Sequence, residues 1–159
     1  MGHREIAFIG SDIEKSAVDK ARYSGYCKAF NHYDLEPKDE NIFKINISYD
    51  GGMNIAKKVL EKEDITGVFI TGDIAAMGFI KKLDKLGKSV PEDISVVGFD
   101  NLKISQYMIP GITTIDQDIF KKGQVTAQTA IDSINRVDVK TKKIKMPLKL
   151  IKRDTVKKL

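Results

Sequence analysis

Short apolar runs alternate with helical segments along most of this 159-residue chain. The runs at residues 6–9, 67–71 and 94–97 are rich in β-branched and aromatic side chains. Such runs are typical of strands that are covered on both faces, as in a parallel sheet. Repeated strand–helix units predict a parallel sheet with helices on both of its faces. We therefore predict an α/β fold, a three-layer sandwich around a mainly parallel, doubly wound sheet.

The same patterns predict the individual elements. Apolar runs predict strands at residues 6–9, 42–47, 67–71, 94–97, 113–115 and 146–152. Helical spacing predicts helices at residues 16–31, 51–62, 74–86 and 119–135. Gly87 and Pro91 are expected to end the third helix. In the first helix, the small and apolar face expected to point inward consists of Ala17, Ala21, Ser24, Tyr26, Ala29 and Phe30. Residues 101–109 and 138–145 are expected to be irregular.

Length and composition fit one globular domain over residues 1–159. Hydrophobic residues make up 42% of the chain and charged residues 31%. No apolar run reaches the about 18 residues of a membrane span, and the amino terminus lacks a signal-peptide pattern. The single cysteine, Cys27, cannot form an internal disulfide. These features predict a cytoplasmic protein that has no membrane partner.

Positive charge is concentrated towards the carboxyl terminus. The net charge is +5, yet residues 120–159 hold twelve Lys or Arg against three Asp or Glu. This basic block is either a nucleic-acid contact or a solvated surface. We favour the solvated surface, because no aromatic residues alternate with the lysines and no helix-turn-helix pattern precedes them in this sequence.

Residues 90–101 (VPEDISVVGFDN) predict a helix end, a buried strand and an acidic residue just beyond it. Gly98 lets the chain turn out of the sheet without steric cost. Asp100 is then expected in the crevice outside the carboxyl ends of the strands, where open α/β sheets bind ligands. An ionised carboxylate only accepts hydrogen bonds, which suits a hydroxyl-rich ligand such as a sugar. The alternative is that Asp100 caps a local turn.

Several segments together resemble the LacI/GalR family of bacterial transcription repressors. They are residues 90–101, 2–10 (GHREIAFIG), 22–26 (RYSGY), 110–117 (PGITTIDQ) with Gly123, and 147–153 (PLKLIKR). The resemblance implies a periplasmic-binding-protein-like type I fold of two similar subdomains, of which this chain looks like the carboxyl-terminal one. The family's first subdomain and its DNA-binding helices lie outside this sequence.

In that family, a small effector bound between the subdomains changes their orientation and so the affinity for operator DNA. The resemblance implies that this chain is the ligand-sensing part of a repressor. Sugars are the commonest effectors of the family, with purines and phosphoproteins as variants, and we favour a sugar. Operator DNA would be bound through the absent amino-terminal domain. The alternatives are a sugar-binding protein for transport and a small α/β enzyme.

Five residues are candidates for effector binding. Arg22 matches the arginine that family members use for effector in their R-x-x-G pattern. Asp100 matches the family's effector aspartate, and Gln117 matches a polar position in the crossover between subdomains. Asp73 lies beside the position where many members have an asparagine that reaches the ligand, and it either contacts ligand or caps the following helix. Ile47 stands where the family often has an aromatic ring.

The resemblance also implies a homodimer. The family's dimer face would run along the third helix at Met77, Ile80 and Lys81 and include the loop near Met108. The crossover helix, residues 119–136, would lose its usual cover and present an apolar stripe. We expect the chain to self-associate, and the alternative is that this helix folds back on its own sheet.

Catalytic and metal-binding patterns are scarce. His3 and His32 are the only histidines, and His3 is expected far from the carboxyl ends of the strands. Cys27 lies within a helical pattern, which favours a small packing role over that of a nucleophile. We predict no enzymatic activity, no cofactor and no metal site.

Overall fold

The structure is a computed structural model that describes residues 1–135 and 144–159. Its strands are β1 (Ile6–Gly10), β2 (Ile42–Lys44), β3 (Gly67–Ile70), β4 (Ser95–Phe99), β5 (Thr113–Asp116) and β6 (Lys149–Ile151). Its α-helices are α1 (Ala17–His32), α2 (Tyr49–Leu60), α3 (Asp73–Lys85) and α4 (Ile119–Ile134). Short 3-10 helices occupy Asp39–Asn41 and Lys103–Gln106.

The strands form one six-stranded sheet in the order β2-β1-β3-β4-β5-β6. Neighbours from β2 to β5 pair in parallel, and β6 runs antiparallel beside β5. This confirms the predicted α/β fold with a mainly parallel sheet. β2 lies on one side of β1, and the later strands lie on the other side, starting with β3. The connections that leave β1 and β3 therefore diverge, and a crevice opens between the carboxyl ends of these two strands. This is the usual ligand position in such sheets.

Alternate residues of β1 point to opposite faces of the sheet and divide the core in two. Ala7 and Ile9 belong to the larger cluster, which α2 and α3 cover. Phe8 belongs to a smaller aromatic cluster with Tyr26 and Phe30 of α1. The sheet is therefore the middle layer between α1 on one side and the α2–α3 pair on the other.

Two glycines allow α2 and α3 to pack closely. A Cβ atom at Gly52 would lie 1.9 Å from the carbonyl oxygen of Ala75, and one at Gly78 would lie 1.9 Å from that of Tyr49. No side chain fits at such distances, so each helix contacts the backbone of the other. This contact holds the amino terminus of α3 against the carboxyl edge of the sheet.

Several element boundaries differ from the prediction. The strand expected at residues 42–47 is limited to β2. The side chain of Ser48 accepts a hydrogen bond from the Gly51 amide, so α2 begins at Tyr49 rather than at residue 51. The strand expected at residues 146–152 is limited to β6. Residues 138–143 of the predicted loop and residue 136 of the crossover helix lie outside the described residues.

The inward face of α1 also differs from the prediction. Ala17, Ala21, Ser24 and Ala29 are exposed. The buried residues are Asp19, Tyr26 and Phe30. The reason is that the larger rings bury more apolar area: Tyr26 packs 5.5 Å from Phe8 and 4.6 Å from Phe30 between ring centroids.

Helix α4 extends away from the sheet and buries none of its residues. Ile134 is 79% exposed, and Ile119, Phe120 and Ile131 are also exposed. The alternative that this helix folds back on its own sheet is therefore wrong. Another side of α4, which includes Val125, Thr129 and Ala130, lines a groove with Ile144, Met146 and Leu148. Within the described ranges, no helix is long and apolar enough to cross a membrane.

Candidate functional site

The candidate site centres on Arg22, which projects from α1 to the carboxyl edge of the sheet. Its Nη1 donates hydrogen bonds to the Thr71 carbonyl oxygen at 2.9 Å and to Asp19 Oδ1 at 3.0 Å. The guanidinium carbon lies 4.0 Å from the centre of the Phe99 ring, a cation–π distance. These contacts hold the guanidinium in one orientation before any ligand arrives, and the side chain is only 17% exposed.

Asp19 is a site residue that the sequence analysis missed. It is buried on α1 and accepts hydrogen bonds from the amide of Ser11, at 2.8 Å, and from the Ser11 hydroxyl. Burial raises the pKa of Asp19, but the bonds from Ser11 and Arg22 outweigh burial and hold that pKa below its usual range. The signal was present as an acidic residue three positions before Arg22, which places both on one helix face.

Asp100 follows β4 and lies beside Arg22, as predicted. The distance from Arg22 Nη2 to Asp100 Oδ1 is 3.9 Å, and Gln117 Nε2 donates to the same oxygen at 2.6 Å. The carboxylate thus contacts two neighbouring side chains rather than capping its own turn. Burial raises the pKa of Asp100 above its ordinary value, and Gln117 and Arg22 only partly oppose this. An additional hydrogen-bond donor from a ligand would favour the charged form.

Gln117 connects the crevice to the crossover helix. It follows β5, and its Oε1 accepts a hydrogen bond from Lys122 Nζ at 3.4 Å. Lys122 belongs to the first turns of α4. Polar contacts therefore run from Arg22 on α1 through Asp100 and Gln117 to α4.

The structure contradicts one of the two roles predicted for Asp73, because the side chain does not cap α3. The residue is fully buried, and Gly72 precedes α3 without any side-chain cap. Its Oδ2 accepts hydrogen bonds from the Leu102 amide at 2.8 Å and the Ser105 hydroxyl at 2.6 Å. Its Oδ1 accepts one from the Thr114 hydroxyl at 2.6 Å. Asp73 is therefore enclosed below the crevice, where it holds the loop that carries Asp100, and its contact with a ligand stays a prediction.

Ile47 is half-buried at the edge of the crevice and faces Gly72. A Cβ atom at Gly72 would lie 2.6 Å from Ile47 Cγ2 and 3.8 Å from Asp100 Oδ2. By the resemblance, Gly72 stands where many family members have an asparagine, and Ile47 stands where they often have an aromatic ring. These two positions are thus neighbours in space. The isoleucine methyl group occupies the volume that a side chain at position 72 would need.

The four residues of the predicted dimer face differ in exposure, and the dimer contact itself stays a prediction. Met77 is 4% exposed and Ile80 is 5% exposed, because both belong to the core between α3 and the sheet. Lys81 is exposed and Met108 is half-buried. The apolar side chains that reach solvent on the adjacent loop are Ile104, Tyr107 and Ile109.

The described part of the chain contains no group of three His, Cys, Asp or Glu residues that could hold a metal ion. His3 contacts the Thr66 hydroxyl at 2.9 Å and the Lys157 carbonyl oxygen at 3.1 Å. Thr66 directly precedes β3, so His3 lies at the amino edge of the sheet, opposite the crevice, as predicted.

Comparison with known proteins gives consistent matches. The family model for the periplasmic binding protein-like domain matches residues 1–156. The HTH-type transcriptional repressor PurR of Mannheimia succiniciproducens is 32% identical over 99% of this chain and 47% of that protein. The NTD biosynthesis operon regulator NtdR of Bacillus subtilis is 36% identical over 97% of this chain and 47% of that protein. This chain thus spans about half the length of these relatives.

Solved structures of transcription regulators have the same fold. CcpA of Lactococcus lactis matches with a TM-score of 0.92 and 26% identity, over 98% of this chain and 57% of that one. A LacI family regulator from Enterococcus faecium with bound ribose matches with a TM-score of 0.88 and 31% identity, over 97% of this chain and 57% of that one.

Proposed function

Because the chain belongs to the periplasmic binding protein-like domain family and, within it, to the LacI-type regulators, we propose that it is the effector-sensing half of a transcriptional repressor. A small molecule bound beside Asp100 shifts the orientation of this subdomain relative to a second one outside the chain. Operator DNA is bound by a further domain, in the cytoplasm. The named relatives are transcription regulators, which favours this function over a transport protein or an enzyme.

The convergence of Arg22, Asp100 and Gln117 on one crevice carries the proposal. Arg22 offers fixed N–H donors, and Asp100 offers a carboxylate that only accepts. A hydroxyl group both donates and accepts, so neighbouring hydroxyls of one ligand pair with both residues at once. Gln117 adds a polar group to the site, and Ile47 adds an apolar one.

This pairing favours a sugar as the effector. The 3.9 Å between Arg22 Nη2 and Asp100 Oδ1 leaves the ion pair loose enough for ligand oxygens to compete for both groups. Ile47 packs against a ligand without offering an aromatic face, which suits a saturated ring better than a flat one. The similar LacI family regulator from Enterococcus faecium contains ribose, which supports this ligand class.

Two exposed apolar surfaces support partners outside this chain. The uncovered side of α4 suits the second subdomain, whose contact would also close the groove beside residues 144–148. The loop with Ile104, Tyr107 and Ile109, together with Lys81, suits the symmetric contact of a homodimer. We propose that both surfaces are covered in the full-length regulator.

The direct test is ribose titration of the full-length regulator and its Asp100→Ala variant by calorimetry. Removal of a charged acceptor costs about 1.5–3 kcal/mol, so affinity should fall about tenfold to over a hundredfold. Asp64→Ala is the matched control, because Asp64 is an exposed residue in the α2–β3 connection. An unchanged isotherm for Asp100→Ala would remove Asp100 from the site. If neither ribose nor other sugars bind the wild type, the sugar proposal fails.

A further inference from the structure

Arg153, two residues after β6, reaches the loop that carries Asp100. Its Nη2 donates to Asn101 Oδ1 at 2.7 Å, and its Nη1 donates to the Ile112 carbonyl oxygen at 2.7 Å. Its backbone amide donates to Thr113 Oγ1 at 3.0 Å. All three acceptors are uncharged. The two guanidinium bonds therefore join the loop after β4, at Asn101, to the segment before β5, at Ile112, and neither bond is an ion pair.

The loop that Arg153 holds has an uncommon backbone. Asp100 has φ 106° and Asn101 has φ 51°, so two consecutive non-glycine residues lie at positive φ. Asparagine tolerates this region, but it is unfavourable for an aspartate at such a large φ. Such conformations persist only where neighbouring groups enforce them, and they are concentrated at functional sites.

The backbone amides of the loop donate hydrogen bonds to β5 and to α3. The amides of Asp100, Asn101 and Leu102 donate to the Ile115 carbonyl at 2.9 Å, to Thr114 Oγ1 at 3.3 Å and to Asp73 Oδ2 at 2.8 Å. The bond to Asn101 is the longest of the three. The side chain of Asn101 therefore depends on Arg153 for its fixed position.

We propose that Arg153 is a positioning residue of the effector site. Through Asn101 it locks the left-handed loop that directs the Asp100 carboxylate at Arg22 and Gln117. The carboxyl-terminal segment thus takes part in ligand recognition without touching the ligand. This inference rests on the proposed function, since it concerns the same crevice.

The variant Asn101→Gly tests whether Arg153 positions Asp100 through Asn101 or only stabilises the fold. Arg153 also belongs to a contact in which Asp154 exchanges hydrogen bonds with the backbone of Gly111, so Arg153→Ala disturbs more than the loop. Glycine adopts φ 51° without strain, so Asn101→Gly removes the side-chain bond to Arg153 and keeps the bond from the residue 101 amide to Thr114 Oγ1. It also leaves every charge near Asp100 in place, namely Arg22, Asp73 and Lys122.

The test follows the side-chain carboxyl carbon of Asp100 by carbon-13 NMR in this chain as the pH is varied. Its resonance moves when Asp100 loses its proton, in the wild type and in each variant, whether or not Gln117 donates to the carboxylate. In Asn101→Gly the midpoint of this response should move to lower pH. The reason is that a released Asp100 turns towards solvent, which relieves the burial that raises its pKa.

Arg153→Lys, which retains one donor group, should give an intermediate midpoint, and Lys152→Ala, an exposed neighbour, should match the wild type. If Arg153→Ala fails to fold, Asn101→Gly decides the question. A folded Asn101→Gly with the wild-type midpoint would overturn the inference.

Ribose titration of the full-length regulator separates this inference from the proposed function. Asn101→Gly should weaken ribose binding by roughly two- to thirtyfold, less than Asp100→Ala. If Asp100→Ala weakens ribose binding and Asn101→Gly does not, the positioning role is wrong. If neither variant affects ribose while the NMR midpoint still moves, the loop is locked as described and the sugar proposal is the part that fails.

Discussion

Replacement of Asp73 by alanine should strongly destabilise this protein, because the residue supports the loop beneath the candidate site. The carboxylate is fully buried and accepts hydrogen bonds from the Leu102 amide and from the hydroxyls of Ser105 and Thr114. Ser105 and Thr114 are themselves 0% exposed, so water cannot replace the lost acceptor. Asp73→Ala therefore leaves two buried hydroxyls and the half-buried Leu102 amide facing a cavity.

The magnitude follows from these three bonds. A hydrogen bond to a charged group contributes about 1.5–3 kcal/mol to the free energy of unfolding. The sum of three overstates the loss, because both hydroxyls can rotate towards other acceptors. We expect a loss of about 3–5 kcal/mol, comparable to the cost of breaking a buried charged network. Asp73→Asn preserves the volume and one acceptor oxygen, and should lose only about 1–2 kcal/mol.

Urea denaturation followed by far-UV circular dichroism measures both variants, since the chain has no tryptophan. The slope of the free energy against urea should stay constant if only stability changes. Asp64→Ala, an exposed aspartate, should stay within about 0.5 kcal/mol of the wild type. A loss below about 1 kcal/mol for Asp73→Ala, or equal losses for alanine and asparagine, would refute this account of the loop.

Three further predictions concern stability and association. Asp100→Asn should raise the urea midpoint near neutral pH, and the gain should vanish in acid. Folding raises the pKa of Asp100, so at any pH above the pKa of the unfolded state the ionised Asp100 lowers the free energy of unfolding. A lower urea midpoint for Asp100→Asn at neutral pH would contradict this. Gly78→Ala should lower the midpoint because its Cβ would lie 1.9 Å from the Tyr49 carbonyl oxygen, whereas Gly25→Ala, with no atom within 4 Å, should not. By light scattering the chain should self-associate at high micromolar concentration through α4, and Ile134→Lys should restore the 17.8 kDa monomer; a monomeric wild type would argue against it.

The order of strands and helices follows from local patterns, which is why the sequence predicts it well. β4 is a short run of apolar side chains, and such runs form buried strands wherever they occur. Gly87, just beyond α3, has φ 71°, a conformation that glycine adopts at little cost. Neither feature depends on distant residues.

The sequence predicts those site residues that come directly after a strand. Asp100 follows β4 and Gln117 follows β5, and the carboxyl ends of parallel strands meet at one edge of the sheet. The convergence of Arg22 on the same carboxylate, at 3.9 Å, follows from the position of α1 beside β1. The family motifs strengthened this prediction, but the shared edge is its physical basis.

Tertiary structure alone decided which side chains face solvent and which support the site. Met77 and Ile80 are suited by type to a dimer face, yet α2 and the sheet cover them. Asp73 has the type and position of a helix cap, yet its donors come from residues 102–114. Arg153 holds Asn101 across 52 positions of the chain. Burial and hydrogen-bond partners depend on residues far away in sequence, and only the folded chain brings them together.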